Sequence, residues 1–180
     1  PNLKQDEGDF ETLYAQAAVA QKILVESLKK LRDDVQDPGV KGRPRSLQKL
    51  ANDYGGDARY LKDLSRATIL CETPDELLDV LNRLTSVGLE IAQVKNKFAS
   101  PTPMGYRDFN LNVRVCVCFD DGQTHVAEFQ LNLKNIADAK HIAHDQYEVI
   151  RAALPDMCKD TSVGADALEA FISERLSLIH

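Results

Sequence analysis

Two acidic residues occupy positions at which they could act on a phosphate group. Asp63 follows Lys62 immediately before an apolar run of strand length, and Glu128 lies in an alternating run, two residues before Gln130. Carboxylates at strand ends supply the hard oxygen ligands that Mg²⁺ prefers. We therefore expect Asp63 and Glu128 to bind one Mg²⁺ ion together with a nucleotide triphosphate.

Basic residues surround these carboxylates in the sequence, although the chain as a whole is acidic. The net charge is −6, from 22 basic and 28 acidic residues, which argues against a general nucleic-acid coat protein. A polyphosphate nevertheless requires a local set of cations, and the chain has one. Its members are Arg43, Arg45, Lys49, Lys62, Arg66, Lys95 and Lys97. Tyr106, next to Gly105, offers an exposed aromatic ring on which a base could stack.

The spacing of apolar residues predicts the elements that position these side chains. Helices are expected over 10–36, 47–54, 136–154 and 163–179, and a further helix begins at the capping box of Thr73. Strands are expected over 67–71 and 89–98, and alternating runs over 108–119 and 124–133 form a hairpin. This order predicts an α/β or α+β fold, in which helices flank a mixed sheet that contains an antiparallel hairpin.

The hairpin has one apolar face and one polar face. A three-residue loop with Gly122 in the left-handed region keeps these faces separate. That register places Arg114 opposite Glu128 and Asn112 opposite Gln130. Because the polar face is rich in amide side chains, we expect it to make specific hydrogen bonds, and we expect His125, near the hairpin tip, to lie on the surface.

Composition also limits the compartment of the protein. The four cysteines fit no zinc spacing and are interpreted as reduced thiols, which indicates a reducing compartment. No apolar run reaches the ~18 residues that a membrane span requires. We therefore expect a cytoplasmic protein that does not associate with a membrane.

Six segments, taken in order, resemble the synthetase domain of the RelA/SpoT alarmone enzymes. They are Arg43-Pro-Arg45-Ser46, Lys62-Asp63, Lys95-Asn96-Lys97-Phe98, Pro101-Thr-Pro-Met-Gly105-Tyr106-Arg107, Glu128-Phe129-Gln130 and His144-Asp-Gln-Tyr147. The resemblance covers roughly residues 40–151, and it implies a single synthetase domain over 1–180 with a nucleotidyltransferase-like sheet.

The resemblance implies a Mg²⁺-dependent pyrophosphokinase. The ribose 3′-hydroxyl of a purine nucleotide attacks the β-phosphorus of ATP, the diphosphate is transferred, and AMP leaves. Asp63 and Glu128 would hold the metal, and Glu128 would also accept the hydroxyl proton. The residues expected to bind the donor are Arg43, which stacks on adenine, with Arg45, Lys49, Lys62 and Arg66. The residues expected to bind the acceptor are Tyr106, Lys95, Lys97, Arg107, Asn110, Gln130 and His144.

Two departures from the family pattern concern the acceptor. Thr102 and Asn110 stand where typical alarmone synthetases have Lys and His, so the product could be (p)ppGpp or (p)ppApp. Related toxins use adenosine nucleotides or a tRNA 3′ end, and a toxin would act in the cytosol of a target cell and have an inhibitor or antitoxin protein as a partner. The alternatives to the leading hypothesis are a tRNA-modifying enzyme and an inactive nucleotide-binding module.

Overall fold

The computed structural model describes residues 3–101, 106–118 and 122–139, together with Ala170, Ser173 and Glu174. The chain forms two compact units, residues 1–134 and 135–180, and the sheet described below belongs to the first. His144 and nearly all of the two C-terminal helices predicted from the sequence lie outside the described residues. No helix in the described part of the chain is long and apolar enough to cross a membrane.

Helix α1 spans Phe10–Lys29 and begins where the sequence predicts. The Asp9 side chain accepts a hydrogen bond from the Thr12 backbone N–H at 2.9 Å, as an N-cap residue does. The helix ends before residue 36, because the chain becomes extended there and Gln36 forms an antiparallel bridge with Thr68. This bridge adds a short partner to an edge strand of the sheet.

Helix α2 spans Arg43–Tyr54 and starts earlier than the predicted residue 47. Pro44 is tolerated in the first turn, because the N–H that it lacks would have no partner inside the helix there. The helix ends at Gly55, whose φ of 55° is left-handed. The earlier start places Arg43, Arg45 and Lys49 on one helix.

Helix α3 spans Pro74–Arg83 and is capped by Thr73, as the sequence predicts. A 3₁₀ turn, Leu84–Val87, continues it to Gly88, which has a φ of 80°. The capping box and the glycine therefore fix both ends of this segment.

Four strands form one mixed sheet in the order β1-β4-β3-β2. They are β1, Arg66–Cys71, β2, Glu90–Asn96, β3, Phe109–Cys116, and β4, Thr124–Leu133. Strand β1 is parallel to β4, and the other neighbours are antiparallel. The predicted mixed sheet with an antiparallel hairpin is confirmed.

The apolar face of the sheet packs against α1 and α3. Leu111, Phe129 and Leu131 are fully buried in a cluster with Leu24 of α1 and Leu77 of α3. The helices therefore cover this face and leave the polar face of β3 and β4 for the site described below.

The hairpin register differs from the predicted one by two residues. Asn112 lies opposite Glu128 and Asn110 opposite Gln130, whereas Arg114 lies opposite Val126. The predicted pairs, Arg114 with Glu128 and Asn112 with Gln130, are therefore wrong. The connection is longer than three residues, because the Val117 N–H donates to the Gln123 carbonyl.

Two features of the hairpin tip bear on the prediction. Gly122 has the expected left-handed φ of 70°. The prediction that His125 lies on the surface is wrong, since its side chain is completely buried. His125 has the parity of the apolar face, which is why β4 carries it into the interior.

Candidate active site

Asp63 lies just before β1 and is surrounded by lysines. Its Oδ2 accepts hydrogen bonds from Lys41 Nζ at 2.6 Å and from Lys49 Nζ at 2.8 Å. Burial acts to raise the pKa of Asp63, but the hydrogen bonds from the two lysines outweigh it and hold that pKa below its ordinary value. The Asp63 carboxylate is therefore charged at neutral pH.

Lys41 is a residue that the sequence reasoning missed. Its N–H donates to the Leu64 carbonyl at 2.8 Å, and its own carbonyl accepts from the Tyr14 hydroxyl at 3.0 Å. The backbone is thus held on both sides, which directs the side chain to Asp63. The only sequence signal was the proximity of Lys41 to the basic segment that contains Arg43 and Arg45.

Glu128 lies on the polar face of β4 and accepts two amide hydrogen bonds. Asn110 Nδ2 lies 2.9 Å from Oε2, and Gln130 Nε2 lies 2.9 Å from Oε1. These amides, both assigned from the sequence to the acceptor, fix the plane of the carboxylate without neutralising its charge. Glu128 is therefore oriented and still able to accept a proton.

The backbone brings the segments of the two carboxylates together. Glu128 pairs with Arg66 across the parallel β1–β4 ladder, and its N–H donates to the Ser65 carbonyl at 2.9 Å. Asp63 lies two residues before Ser65 in the chain. Glu128 therefore lies on the strand next to the one that Asp63 precedes, and the sharing of one metal ion by the two carboxylates stays a prediction.

The donor set fits a divalent ion at Asp63. The Oδ1 atom of Asp63 is buried and has no hydrogen-bond partner among the described residues. The described residues contain no group of three or more His, Cys, Asp or Glu side chains that could hold a metal. Mg²⁺ usually binds through one or two carboxylates and substrate oxygens, and the open Oδ1 atom of Asp63 is compatible with that mode of binding.

Positive charge accumulates beside Asp63. Burial lowers the pKa of Lys62, and the charges of Lys95 and Lys49 lower it further. Lys49 and Lys95 therefore each repel Lys62, and an anion beside Lys62 would relieve that repulsion. The structure thus brings Lys95, assigned to the acceptor, near the donor lysine Lys62.

The three arginines assigned to the donor have different surroundings. Arg43 donates to both carboxylate oxygens of Glu11, and its guanidinium lies 5.3 Å from the centre of the Phe10 ring. Arg45 is exposed on α2. Arg66 has a buried Nε atom without a hydrogen-bond partner in the described part of the chain. Arg43 is therefore held by α1 in this structure.

Tyr106 and its neighbours form a separate group on the acceptor side. Tyr106 is half-buried rather than exposed, its hydroxyl accepts from Asn132 Nδ2 at 3.1 Å, and Lys97 Nζ lies 5.4 Å from its ring centre. Lys97 also pairs with Asp108, at 2.9 Å. Arg107 is exposed and donates to the Phe98 carbonyl at 2.8 Å. This group contains two residues, Asp108 and Asn132, that the sequence reasoning did not assign.

One curated protein is similar to part of the chain. It is the (p)ppApp synthetase toxin Tas1 of Pseudomonas aeruginosa strain UCBPP-PA14, which is 39% identical over 71 residues. The match covers 39% of this chain and 15% of that protein, so it spans a small part of the length of the relative. No protein-family profile matches the chain.

Solved structures match nearly the whole chain. The Type VI effector Tas1, in a complex with its immunity protein, is 24% identical, with a TM-score of 0.63 and coverage of 92% of both chains. Small alarmone synthetase 1 of Bacillus subtilis, bound to its product pppGpp, is 18% identical, with a TM-score of 0.65 and coverage of 94% of both chains. The resemblance indicated by the motifs is thus confirmed, and the chain has the fold of the RelA/SpoT-like alarmone synthetase domain.

Proposed function

We propose that the chain is a Mg²⁺-dependent pyrophosphokinase that transfers the β,γ-diphosphate of ATP to the ribose 3′-hydroxyl of a purine nucleotide, forming an alarmone. The observation that carries this proposal is the joint placement of Asp63, with its lysines, and Glu128. A partly buried carboxylate, with one oxygen that has no hydrogen-bond partner among the described residues, lies among cations, and an oriented second carboxylate lies on the adjoining strand. Polyphosphate transfer needs this combination of negative metal ligands and positive phosphate ligands.

The donor half of the site would bind the phosphates of ATP. Lys49 and Lys62 supply positive charge beside Asp63, and Lys41 joins them because its ammonium reaches the same carboxylate. A bound Mg²⁺ ion would neutralise charge that develops on the transferring phosphates. Lys41 and Lys49 could turn from Asp63 to those phosphates, since both have flexible side chains. Arg45 and Arg66 would add positive charge at the edge of the donor site.

Glu128 would activate the acceptor. Its carboxylate can take the proton of the 3′-hydroxyl while Asn110 and Gln130 hold its plane, so that the oxygen attacks the β-phosphorus as AMP leaves. The orientation is fixed in advance, which reduces the entropy lost on reaching the transition state.

We propose an adenosine nucleotide as the preferred acceptor, and (p)ppApp as the product. Asn110, which replaces the family histidine, is committed to Glu128 in this structure and leaves guanosine recognition without that residue. A stretch of 71 residues is 39% identical to a relative named a (p)ppApp synthetase toxin. By the same argument, the chain would act as a growth-inhibiting toxin in a target-cell cytosol and have an inhibitor protein as a partner, as Tas1 has an immunity protein.

The direct test of the assigned chemistry is the variant Glu128→Gln. It keeps the size of the side chain and removes its proton affinity, so turnover should fall by about 10²- to 10⁴-fold, the range that a general base supplies. ATP binding, measured by calorimetry, should change little. The matched control is Glu90→Gln, because Glu90 is exposed on β2. Turnover within about tenfold of the wild type in Glu128→Gln would contradict the assigned role.

A further inference from the structure

A buried carboxylate lies beside the expected acceptor platform and has no role in the chemistry proposed above. Asp108 immediately precedes β3, and only 1% of its side chain is exposed. Lys97 contacts it twice, since Lys97 Nζ lies 2.9 Å from Asp108 Oδ1 and the Lys97 N–H donates to the Asp108 carbonyl at 2.9 Å. A charge buried to this extent is retained only when a partner compensates it.

The same carboxylate also acts on Tyr106. Burial raises the pKa of the Tyr106 phenol, and the negative charge of Asp108 raises that pKa further. Asn132 Nδ2 donates to the phenol oxygen at 3.1 Å. The hydroxyl therefore stays protonated, and the hydrogen bond from Asn132 limits movement of the ring.

Lys97 completes the group. Its ammonium lies 5.4 Å from the centre of the Tyr106 ring while it pairs with Asp108. Two interactions, an ion pair and a cation–π contact, thus place one cation against both partners. Removing the charge of Asp108 would weaken both interactions, because the ion pair that holds Lys97 over the ring would be lost.

The geometry points to Asp108 as a positioning residue for the acceptor: it holds Lys97 and Tyr106 in one arrangement, so that the ring is fixed as a stacking surface. In this arrangement the Lys97 ammonium pairs with Asp108 and does not bind an acceptor phosphate. The acceptor phosphates would then depend on Lys95 and Arg107. The kinetic part of this inference rests on the proposed function.

The kinetic test compares Asp108→Asn with the wild type. Asparagine keeps the shape and removes the charge, so the acceptor KM should rise about fivefold while the ATP donor KM and kcat change less than about twofold. Asp79→Asn is the matched control, since Asp79 pairs with Arg83 on the exposed side of α3 and its replacement should leave both KM values unchanged. Equal changes in both KM values, or no change in either, would overturn the inference.

A double-variant cycle separates positioning from a general structural effect. Lys97→Met removes the ammonium that Asp108 holds against the Tyr106 ring. If Asp108 acts through Lys97, Asp108→Asn should raise the acceptor KM less in the Lys97→Met background than in the wild type. Additive effects would overturn the inference. If Asp108→Asn fails to fold, Lys97→Met alone decides: an unchanged acceptor KM contradicts the inference.

A titration provides a readout that needs no turnover. The ultraviolet absorbance of tyrosinate is followed against pH, and the difference between the wild type and Tyr106→Phe isolates the Tyr106 phenol. Asp108→Asn should lower the Tyr106 pKa relative to the wild type, since it removes a nearby negative charge. An unchanged pKa would show that Asp108 does not act on Tyr106. Should no acceptor react at all, the proposed function fails, and this titration still decides the inference.

Discussion

At the residue scale, Asp63 is defined by the groups that reach it. The sequence predicts its role as a metal ligand but does not show that Lys41 and Lys49 share its Oδ2 atom. In the absence of Mg²⁺ the two ammonium groups supply the compensating charge. The same contact keeps both lysines at the position where donor phosphates would arrive. One arrangement of the lysines would therefore compensate the charge of Asp63 and bind the phosphates.

The Lys41 contact makes a testable contribution to stability. The folded pKa of Asp63 lies below its ordinary 3.8, so the ion pair stabilises the fold above that pH and is lost as the pH falls through the folded value. Lys41→Met should therefore lower the free energy of unfolding by about 1–2 kcal/mol at neutral pH, and by less near pH 3. Urea unfolding at the two pH values measures this. An equal loss at both would mean that the effect of Lys41 is not electrostatic.

At the element scale, β4 carries both the reactive face and an unusual core residue. Glu128 and Gln130 point to the polar face, whereas His125 is buried, and both of its ring nitrogens lack a hydrogen-bond partner in the described residues. Burial lowers the pKa of His125 from 6.5 to about 4. The imidazole is therefore neutral in the folded protein and takes up a proton on unfolding below pH 6.5.

This shift predicts a loss of stability in mild acid. Between pH 6.5 and 4, His125 is protonated in the unfolded chain but not in the folded protein. The free energy of unfolding therefore decreases as the pH is lowered, by at most about 3 kcal/mol. His125→Leu should remove this part of the slope, because leucine does not titrate. Unfolding by urea in steps from pH 7 to pH 4.5 tests it. The same slope in the variant and the wild type would show that His125 is protonated in the folded state.

Helices α1 and α2 meet through a contact that bears on the donor. Glu11 pairs with Arg43, and the two side chains are 64% and 47% exposed. Such a pair stabilises a fold by less than about 1 kcal/mol, so Arg43 could leave Glu11 and bind ATP with little loss of stability. If Arg43 stacks on adenine, Glu11→Gln should lower the donor KM about two- to fivefold, and Arg43→Ala should raise it.

The control for this contact lies on the same helix. Glu26→Gln removes another exposed carboxylate of α1 and should leave the donor KM unchanged. The acceptor KM should be unaffected in all three variants, since the acceptor is proposed to bind at Tyr106 and its neighbours. A donor KM that changes in neither Glu11→Gln nor Arg43→Ala would show that Arg43 does not bind the donor.

The elements also show how far sequence reasoning reaches. Caps are local signals, which is why the beginnings of α1 and α3 were predicted. The hairpin register was predicted with the right faces and a two-residue error, because alternation fixes parity and the loop length fixes the pairing. The contacts of Lys97 with Asp108 and with the Tyr106 ring depend on tertiary packing, and no local pattern encodes them.

At the scale of the whole molecule, the distribution of charge favours a nucleotide as the acceptor over a nucleic acid. The net charge of −6 would repel the phosphate backbone of tRNA, whereas the cations beside Asp63 are concentrated in one place. This distribution agrees with a small, highly charged substrate that binds beside Asp63.

The central claim is that the chain transfers a diphosphate from ATP to a nucleotide 3′-hydroxyl. The most direct measurement incubates the protein with γ-labelled ATP and Mg²⁺, with ADP, ATP, GDP, GTP or tRNA as the acceptor, and separates the products. We expect label on a purine nucleotide, with adenosine acceptors preferred, together with an equal amount of AMP and a loss of both products in Glu128→Gln. Label on tRNA alone, AMP without a labelled acceptor, or no turnover with any acceptor would contradict the account.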